Sequence, residues 1–258
     1  MADNVTNRNG DQPMIDLWIK AGCDGLRASG CPVGQQFFML LLMKAEKTDD
    51  VGLQFNVKTT HLHKPHDEFR SSGMRRLPAL VSGSDVRLEH LDDILEYLDT
   101  YYPCPSGYQN YRETAAYTAC KDLFSKFCFF IKDVNRDSKF LEAELRKFDA
   151  FLTESKTKFL CSNELSYLDC EMLPKLHHVR LACARLKKYH IPSSLTSLWS
   201  YMERGYKNPI FQKSCPCDQE IILHWADRPD TLNLSSIDHK DLCNQPPTFT
   251  FDVPSSVN

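Results

Sequence analysis

The sequence predicts an α+β protein: a small mixed α/β domain in the order βαβαββα, followed by an all-α domain. Three observations predict it. Strand-like runs occupy residues 15–21, 53–59, 77–81 and 86–88, and none follows them. An apolar stretch headed by a proline, Pro32 to Lys44, falls between the first two runs and reads as a helix. Beyond Tyr102, helical periodicity takes over.

The first strand, residues 15–21, runs into the turn Gly22-Cys23-Asp24-Gly25. The chain then reads Ala28-Ser29-Gly30-Cys31-Pro32-Val33-Gly34-Gln35. Pro32 lacks a backbone N–H, and its fixed φ suits the first helical position, so Cys31 falls at the N-cap. The unpaired N–H groups at a helix start carry roughly half a positive charge. That field favours a thiolate, so Cys31 is expected to react at neutral pH rather than to lie inert in a core. The same helix is apolar all round from Phe37 to Met43, a mark of core burial or of membrane affinity. Residues 46–50 are a charged loop, and 53–59 alternate as a half-buried strand. Residues 61–72 are polar and read as a loop with a short helix. The runs 77–81 and 86–88 are strands joined by the hairpin turn Ser82-Gly83-Ser84-Asp85. Residues 91–101 have helical spacing.

Tyr102-Pro103-Cys104-Pro105-Ser106-Gly107 breaks regular structure and reads as a linker. Long helices are expected over 111–131 and 138–151. Ser166 with Asp169 three residues on is a helix-start signal, opening a helix over 168–188. Pro174 lies inside it and is expected to kink it. Further helices cover 195–206 and 218–225. From Asp227 the chain is rich in Pro and Asp and reads as extended. The plan is a disordered tail (1–13), a mixed domain (14–102), a linker (103–110), a helical domain (111–226) and an extended C-terminal tail (227–258).

Composition narrows the class. Of 258 residues, 42% are hydrophobic and 25% charged, as in soluble globular proteins. A net charge of −3 gives no drive toward nucleic acid or acidic lipid. The polar first 13 residues are followed by no apolar signal region, so no secretory address is expected. Eleven cysteines, an odd number without framework spacing, read as reduced cytosolic thiols. A cytoplasmic location follows.

Weaker signals have plainer readings. His61-x-His63 with His66 lies in a polar loop, whereas structural zinc wants four well-spaced ligands, so no metal is expected. His177 and His178 are adjacent, face different sides of a helix and cannot chelate together. Cys215-x-Cys217 lacks the two-residue spacer of common redox and zinc pairs, leaving Cys215 a minor redox candidate. Arg180, Arg185, Lys187 and Lys188 place cations at a helix C-terminus, with a nuclear import signal as the alternative.

The order of elements, with a cysteine opening the first helix and a proline before the third strand, resembles the thioredoxin-like half of glutathione transferases. The fold implied is a thioredoxin-like N-terminal domain followed by an all-α C-terminal domain. The likeness sharpens at Ile19-Lys20-Ala21-Gly22, Gly30-Cys31-Pro32, Asn163-Glu164-Leu165, Asp169-Cys170-Glu171, Leu173-Pro174-Lys175-Leu176, Ile191-Pro192 and Asp218-Gln219-Glu220-Ile221. Together these resemble the chloride intracellular channel (CLIC) family, with a tail like that of its invertebrate members. The resemblance implies that Cys31 is the glutathione-binding, catalytic thiol. It implies a cis bond before Pro78, which would present the backbone of Leu77 to glutathione. It places Glu89 where transferases hold the γ-glutamyl group, although His90 departs from the usual acidic-hydroxyl pair. Gly34 stands where a dithiol motif carries its second cysteine, so Cys31 would act as a monothiol. The implied partners are glutathione, chloride and, conditionally, membrane lipid; the chain would be a monomer when soluble and an oligomer when inserted.

Three functions stay open on these residues. A chloride channel needs a span, yet Lys44, Glu46, Lys47, Asp49 and Asp50 fall in the family's membrane region. Each charge at mid-bilayer costs roughly 2.5–3.5 kcal/mol, and each apolar residue returns about 0.3–0.6. The uncharged window between Arg27 and Lys44 reaches only about 24 Å at ~1.5 Å per residue, against a hydrocarbon core near 30 Å. Insertion would therefore require refolding and oligomerisation, or snorkelling by Arg27 and Lys44. The alternative is a glutathione-dependent, glutaredoxin-like oxidoreductase using Cys31. A non-catalytic scaffold is the third reading.

Overall fold

A computed structural model describes residues 14–47, 52–103 and 111–255. The expected tail 1–13 and most of the expected linker lie outside the described residues. The first unit contains β1 (Ile15–Lys20), α1 (Pro32–Lys47), β2 (Phe55–Thr60), α2 (Asp67–Ser71), β3 (Ala79–Ser82), β4 (Val86–Leu88) and α3 (Leu91–Tyr101). Its four strands form one sheet in the order β2-β1-β3-β4. β1 runs parallel to β2, with Leu17 opposite Val57, and antiparallel to β3, with Leu17 opposite Leu80. β4 returns antiparallel to β3, with Leu80 opposite Leu88.

Alternation along β1 decides what covers each face of the sheet. Ile15, Leu17 and Ile19 join Phe37, Leu40 and Leu41 of α1 and Ile94 and Leu98 of α3 in the main core. Trp18 points the other way and packs with Phe69 of α2, Met74 and Ala79. The main core continues into the second unit, so α1 is buried between the sheet and the helices that follow.

Those helices are α4 (Ala115–Cys120), α5 (Leu123–Ile131), α6 (Lys139–Glu154), α7 (Tyr167–Ala182), α8 (Thr196–Lys207), α9 (Pro209–Ser214), α10 (Asp218–Ala226) and α11 (Ser236–Asn244). The single helix expected over 111–131 is a 3-10 turn at Tyr111–Glu113 followed by two helices. Thr114 starts α4 by accepting the Tyr117 N–H at 3.1 Å. The stretch read as an extended tail carries α11, whose N-cap Ser235 accepts the Asp238 N–H at 3.0 Å. The helix expected over 168–188 is α7, containing Pro174, run on through a π-turn at Cys183–Lys187 and stopped by the left-handed Lys188.

The start of α7 is anchored in the core. Asp169 is fully buried and accepts from the N–H groups of Leu160 at 2.9 Å and Ser166 at 2.8 Å and from the Tyr201 hydroxyl at 2.9 Å. Burial raises this carboxyl above the usual range, while its hydrogen bonds pull the other way.

Lys44, near the far end of α1, is also fully buried. Its ammonium donates to Asp99 Oδ1 and to the Tyr102 carbonyl, both at 2.8 Å, and lies 5.0 Å from the Tyr167 ring centroid. Tyr167 of α7 bonds the same Asp99 of α3. The ion pair joins α1 to α3, and the Tyr167 hydroxyl joins Asp99 to the helical unit. Among the described residues, no helix is long and apolar enough to cross a membrane.

Candidate functional site

The candidate site is built at the C-terminal end of β1. The loop from Ala21 to Gly30 is closed on itself by an Ala21–Ala28 bridge and by Gly22 N–H to the Arg27 carbonyl at 2.8 Å. Asp24 accepts the N–H groups of Leu26 and Arg27, both at 2.9 Å, and pairs with the Arg27 guanidinium. Burial alone would raise the Asp24 carboxyl, but its hydrogen bonds from Arg27 and Leu26 together hold it below its ordinary range. The loop delivers Cys31 to the N-cap position: its carbonyl accepts the Gln35 N–H at 3.1 Å, and Pro32 is the first helical residue. Cys31 is a free, half-buried thiol.

α10 shapes this loop from outside the first unit. Glu220, only 3% exposed, accepts the Cys23 N–H at 2.8 Å. A Cβ on Gly30 would sit 2.4 Å from the Glu220 carbonyl oxygen, and one on Gly22 would meet its carboxylate at 2.4 Å. Both glycines are thus required by close approach. Nothing local in the sequence marks Glu220 as part of the site, because its partners lie almost the whole chain away.

The strand ladders bring the other expected residues to the same end of the sheet. Trp18 pairs with Ala79 at the end of the β1–β3 ladder, which brings Pro78 to the end of the sheet where Ile19 lies. Gly34 packs on that same Ile19, where a Cβ would stand 3.4 Å from Ile19 Cβ and 3.7 Å from Cys31 Cβ. The Leu77–Pro78 bond is cis. Glu89 follows β4 and accepts the N–H groups of Arg75 at 2.7 Å and Arg76 at 3.1 Å through one carboxylate oxygen. The Arg75 bond leads in holding its carboxyl below the ordinary range. Glu89 thereby fixes the loop leading into Leu77, a positioning task the sequence did not disclose. The exposed Arg75 and Arg76 add two cations beside it.

The remaining candidates separate from this site. Cys215 is buried, which pushes its thiol far up, with the Asp218 charge adding; it is a poor nucleophile. His61 and His63 stack at 5.0 Å, whereas His66 packs against Trp18. Among the described residues, no His, Cys, Asp or Glu cluster suits a metal ion. His177 and His178 are core residues, facing Tyr206 at 3.0 Å and Trp225 at 2.9 Å. The basic end of α7 is engaged within the chain: Arg180 with the Asp252 carbonyl, Arg185 with Asp238 and Lys187 with Asp133.

Residues 13–105 match the sequence profile of the CLIC-like N-terminal domain. Over 244 residues, the chain is 37% identical to chloride intracellular channel exl-1 of Caenorhabditis elegans, covering 93% of this chain and 100% of that one. The chain belongs to the chloride intracellular channel family. A second CLIC, chloride intracellular channel Clic of Drosophila melanogaster, is 30% identical over 252 residues, covering 96% and 93% of the two chains. The crystal structure of the C. elegans CLIC homologue EXC-4 superimposes with a TM-score of 0.80 at 23% identity, covering 96% of each chain. A Chlamydomonas reinhardtii dehydroascorbate reductase shares the fold at a TM-score of 0.67 and 21% identity, covering 82% of this CLIC and 96% of the reductase. The thioredoxin-like domain followed by a helical domain is therefore the architecture of this CLIC, as its sequence predicted.

Proposed function

We propose that this CLIC is a conditionally membrane-associating protein that gives a chloride-permeable channel after refolding of its first unit. The observation that carries the reading is the identity to exl-1 across that relative's full length. Three features are compatible with it. The helix α1 presents an unbroken apolar run from Phe37 to Met43. Its 16 residues measure about 24 Å at 1.5 Å each, too short to span as folded. The Lys44–Asp99 pair helps the core to hold it in place. A cytoplasmic monomer that oligomerises on entering lipid fits this reading. The test is chloride efflux from liposomes on acidification; efflux no greater than with an unrelated soluble protein rejects it.

A second reading is favoured by a specific arrangement. Cys31 at a helix N-cap, with Leu77, Pro78 and Glu89 at the same sheet end, suits a glutathione-dependent monothiol oxidoreductase. Glutathione would be held by the Leu77 backbone and by Glu89 with its arginine-flanked loop. Cys31 would attack a small disulfide, and glutathione would resolve the mixed disulfide. Turnover of a small disulfide with glutathione, compared with Cys31→Ser, tests it; equal rates remove it.

A further inference from the structure

A second pair of thiols lies where α11 meets the loop after β1. Cys243 and His239 stand one turn apart on α11, with Cys243 Sγ 3.7 Å from His239 Nδ1. The other ring nitrogen, His239 Nε2, lies 2.9 Å from Asp227 Oδ1. The carboxylate orients the ring so that its other nitrogen faces the thiol, a base within reach of the sulfur's proton. Opposite it is Cys23, an exposed free thiol 220 positions away in sequence, 3.9 Å from the Cys243 carbonyl oxygen. The Cys23 N–H donates to Glu220 Oε1 at 2.8 Å, and its thiol faces the Cys243 carbonyl. Partial burial, followed by the neighbouring Glu220 and Cys243 side chains, pushes the Cys23 thiol well up, whereas Cys243 is the thiol with a base beside it.

We infer that Cys243 and Cys23 form a redox-active thiol pair, in which Cys243 is oxidised by a small hydroperoxide and Cys23 resolves it as an intramolecular disulfide. The sulfur of Cys243 attacks one peroxide oxygen as its proton passes to His239; the S–O bond forms as the O–O bond breaks. The departing hydroxide takes the His239 proton and leaves as water. Cys23 sulfur then attacks the sulfenic sulfur of Cys243; the S–S bond forms, the S–O bond breaks, and the second hydroxide leaves as water with the Cys23 proton. Two thiols lose two electrons in total, and one hydrogen peroxide becomes two waters. The product would staple α11 to the loop that leads to Cys31, joining the two units of the chain covalently.

The experiment uses the full chain carrying Cys31→Ser, so that the other candidate thiol is silent. Reduced protein is treated with stoichiometric hydrogen peroxide at neutral pH, blocked with iodoacetamide, digested and analysed by mass spectrometry without reduction. The expected result is a linked peptide joining Cys23 to Cys243. With Cys23→Ser the link is lost and Cys243 is trapped by dimedone as a sulfenic acid. With His239→Gln the link still forms, but roughly tenfold or more slowly. Recovery of Cys23 and Cys243 both carrying the iodoacetamide label, pairing of either with a different cysteine, or an unchanged rate in His239→Gln would each overturn the inference.

Discussion

The two ends of α1 are built for opposite purposes. At the first, Cys31 is half-buried and offered to the outside, with Pro32 preventing the chain from closing a turn before it. At the other, Lys44 is fully enclosed, and its charge is met by Asp99 and the Tyr102 carbonyl. On the proposed readings the open end would supply chemistry and the closed end a lock. A helix with an apolar surface on all sides stays in the fold because both the core and this lock retain it. The contrast teaches that reactivity and retention reside in separable residues, so each can be removed without the other.

The largest effect is expected at the open end. Cys31→Ser should abolish glutathione-dependent disulfide reduction while leaving the thermal midpoint unchanged, read by turnover and by calorimetry. At the closed end, Lys44→Ala should cost about 3–5 kcal/mol, since it leaves Asp99 partly buried without its cation. Urea unfolding checks this, and joint replacement by Lys44→Met and Asp99→Leu should recover most of the loss.

Acid should act on the lock indirectly, through the helical unit. Burial depresses His178 to about 3 from 6.5, so it stays neutral when folded. Between those values the unfolded chain binds more protons than the folded one, and stability falls as pH falls. His178 alone contributes about 1.4 kcal/mol per pH unit across that window. Burial also lowers His177 and His224, which steepen the loss. Urea midpoints at neutral pH and at pH ~5 measure it; His178→Gln should flatten the dependence. The smallest effect is expected from Glu89→Gln. Its amide oxygen still accepts the Arg75 and Arg76 N–H groups, so the fold should lose only about 1 kcal/mol. The Michaelis constant for glutathione should rise a few-fold with kcat little changed.

Much of this was legible in local pattern. The apolar run in Ile15–Lys20 marked the first strand, and Pro32 marked the start of α1. Ser166 and Asp169 marked the start of α7 for the same reason: capping is chemistry between near neighbours. The break between α4 and α5 was not legible, because both helices carry a continuous apolar face. α11 could have been found from Ser235 and Asp238, whose spacing is a cap signal hidden in a Pro-rich stretch. Long-range partnerships were beyond reach. Lys44 reads as a charged flank until Asp99 is placed beside it, and Glu220 reads as an ordinary helical acid until Gly30 packs on it. The same holds for Cys23 and Cys243, which share no local signal.

The most direct test of the account is chloride efflux from liposomes as pH is lowered, with wild type and Lys44→Ala measured side by side. The account predicts efflux that grows on acidification and begins at a higher pH in Lys44→Ala, because the helix is released earlier. Efflux from both proteins at the level of an unrelated soluble protein, or an identical onset for the two, would contradict it.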